Sequence, residues 1–196
     1  MHDTLGDSLA NRRVIAVLPH IRGRLLDVGC GSNRLVRHYA NGVGIDVHPW
    51  PGADFIVPDT ATLQWESGSF DTVTIIAALN HIPNRVAVLN ECRRLLRPGG
   101  RIVITMLTPR ISRVWHWLRA PWDSDQRERG MQSGEVYGFT SKDLLELFER
   151  AGFTLLSSHR FMLGLNRVYV FGLATTASSQ ARHLEPSKPA DLARVS

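Results

Sequence analysis

The chain has 196 residues, 43% of them hydrophobic, and is long enough for one domain that buries about 70% of its unfolded surface. No apolar run approaches the roughly 20 residues that a bilayer-spanning helix needs, and the N-terminus lacks the apolar stretch of a secretory signal. The two cysteines, Cys30 and Cys92, are too few for a disulfide framework, so we expect a soluble cytoplasmic protein.

The charge balance is basic, with 23 Lys and Arg residues against 18 Asp and Glu residues. A positive potential can attract nucleic acid or anionic lipid. The arginines are scattered along the sequence, however, and do not form a stripe with interleaved aromatic residues, so we do not expect a nucleic-acid partner. Examples are Arg12, Arg37, Arg94, Arg113, Arg150 and Arg167.

The first half of the chain alternates helical and strand patterns. Residues 11–21 repeat apolar side chains at helical spacing and predict an amphipathic helix. Short apolar runs bounded by breakers predict buried parallel strands, with a glycine turn and a short helix after the first. These strands are at residues 24–28, 43–47, 54–57 and 72–78.

The same rhythm continues up to residue 106. Residues 84–97 form the next predicted helix, which the sequence Pro98-Gly99-Gly100 should end, and residues 101–106 form a fifth strand. Repeated alternation of strand and helix favours a doubly wound sheet with helices on both faces.

The last third predicts a helix and then a hairpin. The helix spans residues 140–151, with Thr140 and Asp143 spaced as a capping box. Strands at residues 153–158 and 167–173 are separated by too few residues for a helical crossover, so they must be antiparallel. We therefore expect an α/β domain over residues 1–173, with a mostly parallel seven-stranded sheet and an antiparallel C-terminal strand. The composition of residues 174–196 predicts a disordered tail.

The glycine turn after the first strand carries the first chemical signal. It contains Gly29 and Gly31, which let a ligand approach bare backbone near the N-terminus of a helix. A nicotinamide-binding fingerprint would have a third glycine at position 34, where Arg34 stands. Asp46 ends the second strand, at a spacing expected of an acid that accepts hydrogen bonds from both ribose hydroxyls. A surface turn aspartate is the alternative interpretation of Asp46.

Three downstream motifs give a more specific signal. They are Gly-Ser-Phe-Asp before the fourth strand, Ala-Ala-Leu-Asn-His after it, and Arg-Pro-Gly-Gly before the fifth. With the glycine turn and Asp46, they resemble the class I S-adenosylmethionine-dependent methyltransferases over residues 25–106. The resemblance implies a Rossmann-like methyltransferase domain that uses S-adenosylmethionine.

The resemblance also implies a set of cofactor-binding residues. Those near the methionine part would be Asp27, Gly29, Cys30 and Gly31. Asp46 would bind the ribose, Asp59 and Thr60 the adenine, and Ala77 would also contact the cofactor; Asp59 would accept from the adenine amino group. The turn departs from many family members at Asn33, where they have glycine, and this puts cofactor affinity in doubt. Asparagine tolerates the left-handed conformation better than other non-glycine residues do.

His81 is the candidate general base. Methyl transfer from a sulfonium is an in-line displacement that depends mainly on positioning in a dry pocket, and a base is needed only when the nucleophile must lose a proton. His81 follows the fourth strand at the edge where ligands bind in such sheets. We give more weight to the alternative, a structural histidine of the turn.

An insert at residues 110–139 is the expected determinant of substrate choice. Residues 110–120 form a basic amphipathic pattern that fits either contact with a membrane or a lid packed on the core. The following acidic stretch predicts a mobile loop. Its carboxylates, at Asp123, Asp125 and Glu128, lack the close alternation of hard-cation sites, so we expect no metal.

These patterns together predict transfer of a methyl group to a small-molecule acceptor, with a lipophilic acceptor among the candidates. The turn after the fourth strand lacks the Asn/Asp-Pro-Pro-Tyr motif that resembling enzymes use on nucleobase or glutamine amides. Two alternatives remain open at this point: a nicotinamide-dependent oxidoreductase, and a partner protein that binds the cofactor without turnover.

Overall fold

The computed structural model describes residues 4–107 and 139–174 as a twisted sheet flanked by helices. The described helices are α1 (Thr4–Val17), α2 (Arg34–Tyr39), α3 (Arg85–Leu95) and α4 (Ser141–Arg150), with 3-10 turns at Leu18–His20 and Leu79–His81. The strands are β1 (Leu25–Val28), β2 (Gly42–Asp46), β3 (Phe55–Ile56), β4 (Phe70–Ile76), β5 (Leu96–Leu107), β6 (Phe153–Phe161) and β7 (Asn166–Leu173).

The seven strands form one sheet in the order β3-β2-β1-β4-β5-β7-β6. Every pairing from β3 to β5 is parallel, whereas β7 is antiparallel to both β5 and β6. The predicted fold class is therefore confirmed, including the antiparallel C-terminal hairpin. The predicted lid at residues 110–120, the rest of the insert up to residue 138 and the tail after residue 174 lie outside the described residues.

Both faces of the central strands are buried, as their continuous apolar sequences predicted, whereas the edge strands β3 and β6 are mostly exposed. On one face, Leu26 and Val28 of β1 pack in a cluster with α3 and α4. On the other face, Leu25 of β1 packs in a second cluster with α1 and α2. Alternation of side chains along one strand thus supplies both cores and leaves the strand ends to form a site.

Several element boundaries differ from the prediction, among them the end of β6, which extends to Phe161. The first helix begins at Thr4 rather than residue 11, although residues 4–10 have little apolar periodicity. Helix α3 ends at Leu95. Leu96 already belongs to β5, where it pairs with Phe70 of β4. The residue before a proline disfavours helical backbone, so Pro98 keeps Arg97 out of the helix and the chain enters the strand early.

Helix α4 begins as its sequence predicted. The Thr140 hydroxyl accepts a hydrogen bond from the Asp143 backbone N–H at 3.2 Å. The reciprocal bond differs from a full capping box, because the Asp143 carboxylate accepts from the Thr140 hydroxyl at 2.7 Å rather than from the Thr140 backbone.

Arg94 fastens the loop between β3 and β4 to helix α3. Its guanidinium binds both carboxylate oxygens of Glu91 and donates to the carbonyls of Leu63 and Trp65 at 3.1 and 2.8 Å. Glu91 in turn accepts from the Leu63 backbone N–H at 2.8 Å. The hydrogen bond from Arg94 is the main reason why the pKa of Glu91 lies below its usual value.

We expect Arg94→Ala to destabilise the fold by about 3 kcal/mol, because it leaves the mostly buried Glu91 carboxylate without its cation. Thermal unfolding of the two proteins measures the difference. Lys142→Ala is the matched control, since Lys142 is exposed and lies 3.9 Å from Glu146 in a surface pair that should contribute less than about 1 kcal/mol. Equal losses for the two variants would contradict this account of Arg94.

Candidate functional site

A cavity of about 760 Å³ opens at the carboxyl edge of the sheet. Its walls come from the loops that follow β1, β2, β3 and β4 and from the residues that lead into α3. The chain order reverses between β1 and β4, because β2 and β3 lie on one side of β1 and β4 on the other. Ligands of doubly wound sheets bind at such a switch point, which makes this cavity the candidate site.

The glycine turn presents backbone to the cavity. Gly29 and Gly31 both have positive φ, at 72° and 52°. A Cβ at Gly29 would lie 2.7 Å from the Cβ of Ala78, which excludes other residues there, whereas a Cβ at Gly31 would meet no protein atom within 4 Å. The turn is held because the N–H groups of Gly29 and Cys30 both donate to the Ile45 carbonyl.

Asp46 lines the cavity at the end of β2 and is almost fully buried. One carboxylate oxygen accepts from the Gly31 N–H at 2.9 Å and the other from the His48 N–H at 3.0 Å. A carboxylate oxygen has two acceptor sites, so each can accept a further hydrogen bond. Asp46 thus fixes the glycine turn and still offers acceptors to a ligand.

Asp59 and Thr60 line the opposite wall after β3. The Oδ1 atom of Asp59 accepts from the Ala61 N–H at 2.9 Å and from the side-chain amide of Asn84 at 3.2 Å. Both hydrogen bonds use Oδ1, so the second carboxylate oxygen has acceptor capacity for a ligand.

Asp27 and Cys30, both predicted as site residues, do not line the cavity. Asp27 is buried in β1 and accepts from the Thr74 hydroxyl at 2.6 Å. Burial raises the pKa of Asp27 to about 7, although the hydrogen bond from Thr74 opposes this shift. Burial also raises the pKa of the Cys30 thiol to about 12, so Cys30 is a weak nucleophile.

His81 lines the cavity beside Ala77, another of the predicted residues. Its Nε2 atom lies 2.9 Å from the amide nitrogen of the buried Asn80 side chain. This contact holds the imidazole ring in the turn, as the structural interpretation of His81 requires.

Several cavity residues were missed in the sequence. His48 and Trp50 follow Asp46 directly, and their rings lie 4.5 Å apart. Asn84, which fixes Asp59, was also missed. The aromatic and proline-rich sequence after the end of β2 could have indicated the first two, because ligands contact the loops at that edge. Nothing in the sequence pairs Asn84 with Asp59.

Asn33 adopts the left-handed conformation that its position requires, with φ of 57°. Its side chain is buried away from the cavity and donates to the Gly52 carbonyl at 2.9 Å and to Asp54 at 3.0 Å. The asparagine therefore braces the glycine turn against the loop that follows β2 and does not occupy ligand space.

The described residues contain neither a cluster of metal ligands nor a membrane-spanning helix. Within residues 4–107 and 139–174, no three metal-ligating side chains of His, Cys, Asp or Glu come together. No helix in these ranges has both the length and the apolar content to cross a bilayer.

Comparison with known proteins gives a family match and partial relatives. A family model described as a methyltransferase domain matches residues 8–158. A ubiquinone biosynthesis O-methyltransferase of Xanthomonas oryzae is 34% identical over 102 residues, which are 43% of this chain and 43% of that protein. The chain thus matches less than half the length of this relative.

Solved structures share the fold. A 1,6-didemethyltoxoflavin N1-methyltransferase from Burkholderia thailandensis, with bound S-adenosylhomocysteine, has a TM-score of 0.64 at 20% identity and covers 88% of this chain and 82% of its own. A methyltransferase from Thermotoga maritima, described as a possible histamine N-methyltransferase, has a TM-score of 0.61 at 16% identity over 84% of this chain and 89% of its own. At these identities the likeness concerns the fold alone.

Proposed function

Because this chain belongs to the class I S-adenosylmethionine-dependent methyltransferases, we propose that it transfers a methyl group from S-adenosylmethionine to an O, N or C nucleophile of a small-molecule acceptor. The observation that carries the proposal is the cavity of about 760 Å³ at the switch point, with bare glycine backbone on one wall and two fixed carboxylates, Asp46 and Asp59, on the others.

The cavity residues fit this cofactor. The open space beside Gly31 suits the methionine part, which would approach the backbone without a side chain in the way. Asp46 would accept from the ribose hydroxyls, and Asp59 from the adenine amino group. The side chains of Val47 and Trp50 supply an apolar wall for the planar base.

Positioning is the main catalytic task of the chain. S-adenosylmethionine, when bound, supplies a methyl carbon activated by the adjacent sulfonium. Asp46 holds the glycine turn and the loop after β2 in one arrangement, and Ala77, with φ of 53°, is kept in place by hydrogen bonds from its N–H to Thr105. Fixed walls of this kind lower the entropy cost of aligning the nucleophile with the departing sulfur.

A lipophilic acceptor is the finer part of the proposal. The wall formed by Ile82 and Pro83 is apolar, and the partial relative in Xanthomonas oryzae is a ubiquinone biosynthesis enzyme. We also place the protein in the cytoplasm, because both of its cysteines are free thiols. We also propose that residues 110–120 make peripheral contact with a membrane.

Ligand-induced stabilisation tests the cofactor first. S-adenosylhomocysteine at about 100 times its Kd should stabilise the protein by about 2.7 kcal/mol, which is about 5–10 °C for a chain of this size. NAD at the same concentration should leave the melting temperature unchanged. Stabilisation by NAD alone would favour the oxidoreductase and overturn the proposal.

Methyl transfer is tested with radiolabelled S-adenosylmethionine and fractionated cell extract. We expect label to enter a small, organic-extractable product with the parent protein and not with an Asp46→Ala variant. Tight cofactor binding without transfer to any fraction would instead support the non-catalytic partner. A labelled product that remains with protein or nucleic acid would refute the small-molecule acceptor.

A further inference from the structure

The fold gathers cations that are far apart in the sequence. Residues 8–26, which cover most of α1 and the approach to β1, contain no Asp or Glu, and neither does the β6–β7 hairpin with its flanks at residues 153–174. The two segments pack together in one apolar cluster through Val14, Val17, Val168 and Val170. Among their cations, Arg12 lies beside Met162, and Arg160 and Arg167 pair next to the hairpin tip, whereas Arg22 and Arg24 precede β1 at the opposite edge of the sheet.

A groove of about 480 Å³ runs between the two segments. Arg12 and His20 line it from the helical side, and His159 and Met162 from the hairpin. The rings of His20 and His159 lie 4.9 Å apart. The pKa of His20 is lowered, first by partial burial and then by repulsion from His159 and Arg101.

The tip of the hairpin next to this groove is apolar and exposed. Leu163 is fully exposed and Leu165 is 44% exposed, and across the groove Ile15 of α1 is also exposed. Met162, Leu163 and Gly164 all have positive φ. Two consecutive non-glycine residues with positive φ are uncommon, because each adopts a backbone conformation of higher free energy. Here they form a turn that exposes a leucine side chain to solvent.

We propose that the hairpin tip and the cationic groove form a docking surface for a bilayer that contains anionic phospholipid. Exposed apolar side chains beside arginines are what an interfacial lipid contact requires: the leucines enter the headgroup region and the cations meet lipid phosphates. The phosphates of a nucleic acid would pair with the arginines, but a nucleic acid offers no apolar partner for the exposed leucines at the tip.

The location of the docking surface on the sheet relates it to the cofactor cavity. Phe161 and Asn166, which flank the tip, pair with each other, and Asn166 pairs with Leu107 at the carboxyl end of β5. The tip therefore lies on the same edge of the sheet as the mouth of the cofactor cavity. A docked protein would turn this edge toward the lipid, from which a lipophilic acceptor could enter; this last step rests on the proposed function.

Vesicle co-sedimentation of the full chain tests docking without any methyl transfer. Binding to phosphatidylcholine vesicles that contain about 30% phosphatidylglycerol should be strong at low salt and weak at 0.5 M NaCl. Pure phosphatidylcholine should bind little. Arg12→Glu should reduce the partition coefficient at least about fivefold, and Leu163→Asp at least about tenfold.

The matched control variants lie on α3 and α4, which pack on the face of the sheet opposite to α1. Lys142→Glu repeats the charge reversal on α4, and Val86→Asp repeats the apolar-to-acidic change at an exposed site on α3; both should bind vesicles like the parent. No binding, equal binding to neutral vesicles, or equal losses in the controls would overturn the proposal. So would binding to heparin or DNA in place of vesicles. Stabilisation by S-adenosylhomocysteine, measured on the same variants, reports separately on the cofactor site.

Discussion

Asp46→Ala should weaken binding of S-adenosylmethionine at least about 100-fold, because each hydrogen bond to a charged group contributes about 1.5–3 kcal/mol and, in the proposed function, this carboxylate accepts two from the ribose. The loss has a second source. Without the carboxylate, the N–H groups of Gly31 and His48 lose their acceptors, and the glycine turn loses its tie to the loop after β2. Isothermal titration calorimetry measures the affinity directly.

The control for Asp46 is an aspartate that also accepts a backbone hydrogen bond but lies at the opposite end of the sheet. Asp71 accepts from the Arg24 N–H at 2.7 Å and pairs with Arg97 at 3.1 Å, near the amino end of β4. Asp71→Ala should lower the melting temperature and leave the cofactor Kd within about twofold. Asp46→Asn retains one carbonyl acceptor and should fall between the parent and the alanine variant. Parent-like affinity in Asp46→Ala would remove the ribose assignment.

The sequence predicted most of the fold because its local signals agreed with one another. Short apolar runs between breakers located the strands, and the few residues between β6 and β7 required an antiparallel hairpin. The errors lay at element boundaries, as at the start of α1 and between α3 and β5. Leu96 is a strong continuation of the helical pattern, yet its pairing with Phe70 draws it into the sheet.

The site was predictable where it depends on strand ends. The carboxyl ends of parallel strands share one edge, so Gly29, Asp46 and Ala77 could be assigned to one cavity from their order alone. Contacts between loops were not predictable. The bond between Asp59 and Asn84, 25 residues apart, depends on how α3 packs. The grouping of cations beside the hairpin depends on how α1 packs against β7.

Asp27 should make both stability and cofactor affinity depend on pH near neutrality. Its pKa is raised by burial from 3.8 to about 7. Between these values the folded protein holds a proton that the unfolded chain has lost, so stability falls as the pH rises from about 4 to about 7 and levels off above it. The total effect is on the order of a few kcal/mol. Thermal unfolding from pH 5 to pH 8 should show this decline, and Asp27→Asn should reduce it.

We expect bound cofactor to reduce the penalty for ionised Asp27, because S-adenosylmethionine carries positive charge and Asp27 directly precedes Val28 in the cavity wall. The association constant should therefore increase between pH 6 and pH 8, by up to about tenfold for each pH unit below 7. Asp27→Asn should bind weakly, with a flatter pH profile. Because the Thr74 hydroxyl lowers the pKa of Asp27, Thr74→Val should move the profile to higher pH. An unchanged profile in both variants would show that another group controls the titration, and Asp27 would then be a structural residue of β1.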